Sequence, residues 1–410
     1  MGATMLLTRT PNKTVHFGGR QEALMDRDRL EPVARRRSFM ARRRTNNGGR
    51  TLRRARRQLL LAVPAVLAAV SLCAGQALAV PRAPAGTTAP YGFNAPDAAV
   101  LDGPVLFVAN KGGNSVTEVN AGTGAYISTI QGPRYHFDGP TALKVVGRDL
   151  FVASGPGDSV TELNAKTGAV IRIMAGINYG FTYPVAMASE GSRYLFILCT
   201  DGSVAKVVIA TGQYLGEATG GHFGFDNPTS LVVVGKNIFV ANSGSNSVTE
   251  LDARNMSLVK ILSGPGGAAN DPFHTPIGMV SEGGNIWVTN QAGLSVTEFS
   301  AATGTVVQVV PNTEDYLPSP GAIAYGDGYF FVTSPPGGSP MVTQLASTDP
   351  AKMPWMMCNT NGPYTFSNPQ ALVVYGGDLW VVNEGGAGGP PGNSLTEMSA
   401  STGALVQVVR

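Results

Sequence analysis

The chain has 410 residues, of which only 14% are charged, and its formal net charge of +3 is an average over two unlike parts. Residues 1–79 hold 16 of the 30 Lys+Arg and four of the 27 Asp+Glu, so 80–410 carries 14 bases against 23 acids, a net of −9. A nucleic-acid partner is excluded on this ground, because phosphate binding needs a basic face on the folded part and here that part is acidic.

In chain order, residues 1–57 are polar and arginine-rich without apolar periodicity, and are read as a disordered extension or as a stretch preceding a true start at Met40. Arg53, Arg54, Arg56 and Arg57 then lead into an apolar region, 58–79, that runs from Leu59 to Cys73 and ends in Ala77-Leu78-Ala79. This is the basic, apolar and small-residue order of a secretory signal, with cleavage expected after Ala79. Pro64 interrupts the run, which argues against an uncleaved anchor, and Leu72 before Cys73 argues against a lipoprotein. "RRRSFM" at Arg35–Met40 resembles a twin-arginine signal, so the general and twin-arginine export routes both stay open. The mature chain is expected outside the cytoplasm, as a monomer with no membrane span. Residues 80–95 form a short lead-in.

From Pro96 onward the sequence repeats. Units start at Pro96, Pro140, Pro184, Pro228, Pro276, Pro320 and Pro369, spaced by 44 to 49 residues. Unit two shows the grammar: "TALKVV", a turn, "LFVAS", a turn, "SVTELNA", the turn "KTG", and "AVIRIMA". Four short apolar runs separated by Gly, Asn, Asp and Pro make an antiparallel four-stranded meander. Four-stranded units at a period of 40–50 residues are propeller blades. The prediction for 96–410 is therefore an all-β fold: one seven-bladed β-propeller of four-stranded antiparallel blades.

"LFVANKGGNSVTEVNAGTGAYISTI" and "IFVANSGSNSVTELDARNMSLVKIL" resemble the YVTN-type propeller repeat, and "GGNIWVTNQAG" is similar to NHL-type blades and to the virginiamycin B lyase group. The resemblance covers nearly all of 96–410 and implies the fold. It leaves enzymes, binding proteins and surface scaffolds open as functions.

"NSVTE" at Asn114–Glu118 recurs at Asn246–Glu250, with near-copies ending at Glu162, Glu298 and Glu397. Five glutamates in one frame suggest a carboxylate ring. The third strand of a blade lies well out from the axis, so they are expected apart from one another, each with a local partner. Phe93, Phe137, Phe181, Phe225, Phe273 and Phe366 stand three residues before the unit prolines, with Leu317 in the sixth place, and read as wedges between blades.

Ligand-contacting side chains are expected in the connectors around those aromatics: Tyr135, His136, Asp138, Tyr179, His222, Asp226, Asp271, His274, Asp315, Tyr316 and Tyr364. Two blades break the repeat. Unit three has "SVAKVV" with Thr200-Asp201 at its strand end, and unit six has Gln344 in the glutamate place and an insertion, "STDPAKMPWMMCNTNG". Exposed Trp355, Met356 and Met357 would suit a partner. Cys199 and Cys358 fall three blades apart, too far for a disulfide.

No nucleophile elbow, H-E-x-x-H, paired C-x-x-C, phosphate loop or calcium loop is present in 80–410. The leading expectation is a non-enzymatic binding scaffold for a small molecule, carbohydrate or protein, without a cofactor, contacted by Tyr135, Asp138, Tyr179, Asp226 and Tyr364. The alternative follows from the resemblance to virginiamycin B lyase-like propellers: a metal-assisted lyase or lactonase opening a cyclic ester. His136, His222 and His274 would then be catalytic, and Asp138, Asp226 and His274 would hold a divalent metal.

Overall fold

The computed structural model describes residues 91–264, 271–313, 315–334, 340–349, 355–358, 364–385 and 393–410. The extension at 1–57, the apolar region at 58–79 and the side chain of Trp355 lie outside the described residues.

Seven four-stranded sheets follow one another along the chain, each a meander in sequence order. Blade one is Pro96–Asp102, Val105–Asn110, Ser115–Asn120 and Tyr126–Gln131. The first strands of the other blades are Pro140–Val146, Pro184–Glu190, Pro228–Val234, Pro276–Glu282, Ile323–Gly326 and Pro369–Tyr375. Each first strand touches the first strand of the next blade, and that of blade seven touches that of blade one, so the ring closes around an axis lined by first strands. The seven-bladed propeller predicted from the repeat is the fold observed.

Five of the six residues in each complete second strand are buried, as in "LFVAN" at Leu106–Asn110. A strand sandwiched between two neighbouring sheets must be apolar on both faces, which is why these runs do not alternate. Seven apolar clusters result, one at each junction between consecutive blades. The junction of blades seven and one joins Trp380, Val382 and Leu395 to Leu106, Val108 and Phe93. Phe93, Phe137, Phe181, Phe273, Phe366 and Leu317 are all buried in these clusters, with Phe225 packed against one of them, so they are wedges between blades. Fully burying such a side chain contributes about 1.5–3 kcal/mol.

The glutamates of "NSVTE" are spread around the ring, and every letter of the stretch is used. Asn114 sits in the left-handed region (φ 48°) and its Oδ1 accepts the Gly139 N–H of blade two at 2.7 Å. Asp158, Asn246 and Asn393 make the same link to Tyr183, Thr275 and Ala95, the last closing the ring. Ser115 and Thr117 accept the side-chain amide of Asn110, and Thr117 donates to the carbonyl of Tyr91. The glutamate faces one fourth-strand residue across the sheet in each of five blades: Ser128, Arg172, Lys260, Gln308 and Gln407. Three of these partners donate onward to a carbonyl of the next blade: Arg172 to Ala210, Lys260 to Thr303, and Gln407 to Thr123.

The two broken copies keep this task by other means. In blade three Lys206 donates directly to the carbonyls of Ala253 and Arg254 in blade four, both at 2.7 Å. In blade six Gln344 donates to the carbonyl of Ala400 in blade seven at 2.6 Å. At both places the side chain bonds to the next blade. The place of the repeated asparagine in blade three is taken by Cys199 and not by Thr200-Asp201, because Cys199 pairs with Pro184 as Asn110 pairs with Pro96. In blade six, Trp355–Cys358 forms the fourth strand, and Met357 is buried against blade seven. Cys199 and Cys358 are buried in separate blades and are not bonded to each other. No helix among the described residues is long and apolar enough to cross a membrane.

Candidate functional site

The connectors run inward across the third strand of the blade they lead into, and this governs where their side chains go. Tyr135 is 4% exposed; Arg134 lies over its ring and donates to its hydroxyl. Tyr179 is half-buried, its ring tilted against that of Phe181, and its hydroxyl donates to the Gly212 carbonyl at 3.1 Å. Tyr364 stacks on Phe366 and its hydroxyl donates to the Gly403 carbonyl. Tyr91 does the same to Gly124 at 2.7 Å. Three of the four tyrosines expected to touch a ligand, Tyr135, Tyr179 and Tyr364, are thus placed as packing groups, each with its hydroxyl bonded within the fold.

His136 and Asp138 are exposed and share a cleft of about 770 Å³ between blades one and two, with Asn114, Pro133 and Pro156. His222 is exposed and packs on Phe223, with ring centres 3.9 Å apart; Asp226 is exposed in the same connector, beside Gly244. His274 is half-buried in the connector to blade five, its carbonyl accepting the Gly293 N–H at 3.1 Å. Asp271, in that connector, is buried and accepts the Phe273 N–H. The three histidines therefore stand in connectors to blades two, four and five. Among the described residues no three His, Cys, Asp or Glu come together as a group that could hold a metal ion.

A different set of polar groups gathers at the connector end of the axis. Two positions per blade contribute: the residue after the first-strand proline, and the residue after the second strand. In blade one these are Asp97 and Lys111, with Nζ and Oδ2 3.7 Å apart. In blade seven they are Gln370 and Glu384, and Glu384 Oε2 accepts the amides of Asn368 and Gln370, both at 2.7 Å. From blade three, Tyr183 reaches back toward Lys111, close enough to act on the charge of its ammonium. It crosses blade two over Gly155: a Cβ there would lie 2.8 Å from Tyr183 Cε1 and 2.9 Å from Thr141 Cγ2. Tyr183 has a φ of 49°, strained for a bulky side chain.

The charges in this row shape each other. Burial pushes the Asp97 carboxyl above its ordinary value by more than Lys111 draws it down, and Glu384 adds to the rise. The 3.7 Å separation is long enough for that balance. Burial pulls the Lys111 ammonium down, but Asp97, Tyr183 and Glu384 together outweigh it and hold it above its usual range. On the far side of the axis, blades four to seven line a cavity of about 440 Å³ with both apolar residues, Ile277, Met279 and Ile323, and polar ones, Thr229, Ser230, Gln291, Thr333 and Gln370. Gln370 joins the two regions, since it lines the cavity and holds Glu384.

This set lies outside the long variable connectors, at single positions next to strands that otherwise repeat. A signal existed: the residue after each unit proline reads Asp97, Thr141, Val185, Thr229, Ile277, Gly321 and Gln370, variable where its neighbours repeat.

A family described as outer membrane protein assembly factor BamB matches residues 82–310, more than half of the chain. The chain belongs to this family. The BamB-type match begins before the first blade and ends in the outer strand of blade five. No curated protein matches the chain in sequence. Among solved structures, hydrazine synthase from Kuenenia stuttgartiensis is similar over 78% of this chain and 98% of that one, at 15% identity and a TM-score of 0.57. The Pan2 WD40 domain of Neurospora crassa is similar over 70% and 86%, at 11% identity and a TM-score of 0.53. At these identities the likeness is one of fold alone.

Proposed function

We propose that the protein is an exported, non-catalytic binding scaffold that seats a polar partner over the connector end of its axial channel. The observation that carries this reading is a contrast within the ring. The links between blades repeat around it, while Asp97, Lys111, Tyr183, Gln370 and Glu384 break the repeat at one end of the axis. Side chains that break a repeat without serving its blade-to-blade links are free to serve a ligand. Export is supported by the leader pattern at 58–79. The description of the BamB family, an assembly factor for outer membrane proteins, is in keeping with a scaffold outside the cytoplasm. Within that family, the strand-end and Thr-Gly motifs make this chain a YVTN/NHL-like variant.

The ester-opening alternative gains no support from the placement of His136, His222 and His274 in three connectors. The test is a thermal-shift screen of the purified protein against sugars, amino acids and peptides, repeated with Lys111→Ala and Glu384→Ala. A ligand present at 100 times its Kd stabilises the fold by about 2.7 kcal/mol, enough to read. A shift lost in both variants supports the mouth as the site; one that survives both moves the site elsewhere.

A further inference from the structure

We infer that the cleft between blades one and two, walled by His136 and Asp138, binds a neutral polyhydroxyl ligand, a mono- or disaccharide. The site is separate from the axial mouth and does not rest on the reading of the mouth.

His136 carries the argument. Four of the segments that lead into a blade share one local frame: an aromatic, a left-handed residue and a phenylalanine. In three of them the middle residue is glycine, namely Gly92, Gly180 and Gly224, with φ of 59°, 60° and 67°. His136 holds the same conformation at 56°. A side chain in this region carries a backbone cost that glycine avoids. Met256 shows how packing can offset that cost. It takes the place of Gly124 and Gly168 at a φ of 61°, but it is buried at the junction of blades three and four. His136 has no such return. It is exposed, it stands outside the apolar cluster of its neighbours Tyr135 and Phe137, and among the described residues its imidazole makes no hydrogen bond or ring contact. A strained residue that the fold does not repay points to a functional position.

The cleft shows which chemistry it serves. Its volume of about 770 Å³ falls in the ~300–1,000 Å³ range of small-molecule sites. Asp138 is the one charged side chain in its wall apart from the histidine. Its N–H donates to Ser154 Oγ at 3.4 Å, and its carbonyl accepts the Gly157 N–H at 3.2 Å. Gly157 leaves it room, because a Cβ there would stand 2.9 Å from Asp138 Cβ. Asn114 commits its Oδ1 to the Gly139 N–H at 2.7 Å and keeps its amide hydrogens, while Gln131 keeps a whole amide. The wall thus offers a carboxylate acceptor, an imidazole that can donate or accept, and two amides.

An anion would meet Asp138 with no lysine or arginine in the wall to answer it. An organic cation would use Asp138 and leave the amide donors idle. A metal ion would find too few ligands, since no group of three His, Cys, Asp or Glu forms among the described residues. An apolar ligand would bury these polar groups without partners. A sugar answers all of them: neighbouring hydroxyls donate to the carboxylate and accept from the amides, and a C–H face can lie on Pro133 and Pro156.

The experiment is calorimetric titration of the purified protein with glucose, galactose, N-acetylglucosamine, maltose and lactose, beside unfolding midpoints for each variant. At least one of these sugars is expected to bind, and Asp138→Asn and His136→Gly should each weaken it about tenfold or more. His136→Gly should also unfold at or above the wild-type midpoint, because it removes a side chain from the left-handed region. Loss of the ligand without loss of stability separates a binding role from a structural one. No binding by any of these sugars at tens of millimolar, or binding that survives both substitutions, overturns the assignment. A His136→Gly midpoint below that of the wild type overturns it too, since His136 would then serve the fold. If a sugar is lost in Lys111→Ala or Glu384→Ala but kept in both cleft variants, it sits at the mouth; the cleft assignment falls and the scaffold reading stands.

Discussion

Lys206 faces Gly216 across the third and fourth strands of blade three, where five other blades set a glutamate against a side chain with a donor. The two departures form one exchange. With no donor opposite, a glutamate at this place would be buried and alone, and a lysine can instead reach past the empty strand to the next blade. Lys206 is 3% exposed, lies 3.8 Å over the Tyr194 ring and donates to two carbonyls of blade four.

Replacing Lys206 therefore separates packing from charge. Lys206→Met keeps most of the volume but leaves the Ala253 and Arg254 carbonyls without their donor, at an expected cost of about 1–3 kcal/mol in chemical unfolding. Lys206→Glu restores the letter of the repeat and is expected to cost more, about 3–5 kcal/mol, because it buries an unpaired carboxylate. Adding Gly216→Arg to Lys206→Glu should recover part of that loss. A Lys206→Glu variant as stable as Lys206→Met would show that the position has no need of a partner.

Glu162 predicts a pH dependence. Arg172 Nε lies 2.6 Å from its carboxylate, yet burial outweighs that pull, Asp149 adds to it, and the carboxyl is raised from 4.5 to about 7. A raised value means that the native state holds the proton more tightly than the unfolded chain. The contribution to stability is complete below pH about 4.5 and is lost as pH rises through about 7. Glu162→Gln cannot titrate, so between pH 5 and 8 the wild type should lose on the order of 1–3 kcal/mol relative to the variant. Unfolding midpoints across that range check it. Parallel curves would mean that the Arg172 pair holds the carboxylate charged throughout.

Leu294 occupies the place that Asn114, Asn246 and Asn393 fill in other blades, with a φ of 48°. A leucine in the left-handed region is costly, by roughly 1–2 kcal/mol, and it has no oxygen to link to the next blade. Leu294→Asn is expected to stabilise the protein by about 0.5–1.5 kcal/mol, and Leu294→Gly by less, since glycine removes the strain but adds no acceptor. A lower midpoint for both would mean that Leu294, although 37% exposed, contributes packing that outweighs its backbone strain.

Much of the fold could be read from the sequence because a repeated strand has to satisfy the same surroundings seven times. The prolines, the Phe wedges and the four apolar runs per unit all recur, and recurrence reports architecture. The links between blades were less legible. Glu118 and Ser128, or Glu162 and Arg172, are ten residues apart on neighbouring strands, and the onward step to the next blade depends on ring geometry. The mouth was hidden for a related reason. Asp97, Lys111 and Glu384 are neighbours only because blade seven returns to blade one, whereas Tyr135 and Tyr179 looked accessible in connectors that the structure tucks between blades.

Gly155 gives the sharpest test of how the mouth is built. It is not in a left-handed conformation, so alanine is allowed by the backbone and the variant is expected to fold with little change in stability. The added methyl would stand 2.8 Å from Tyr183 Cε1 and 2.9 Å from Thr141 Cγ2, closer than real contacts come. Both side chains are half-buried; Tyr183 is the one expected to swing away, which takes its hydroxyl farther from Lys111. The Lys111 ammonium then loses one of the groups that hold its pKa up, so its titration, followed by NMR of the Lys111 side chain, should move down in Gly155→Ala. Tyr183→Phe should produce a similar downward move without the steric push. If Gly155→Ala leaves the Lys111 titration where it is while Tyr183→Phe lowers it, Tyr183 keeps its place and Thr141 has yielded instead.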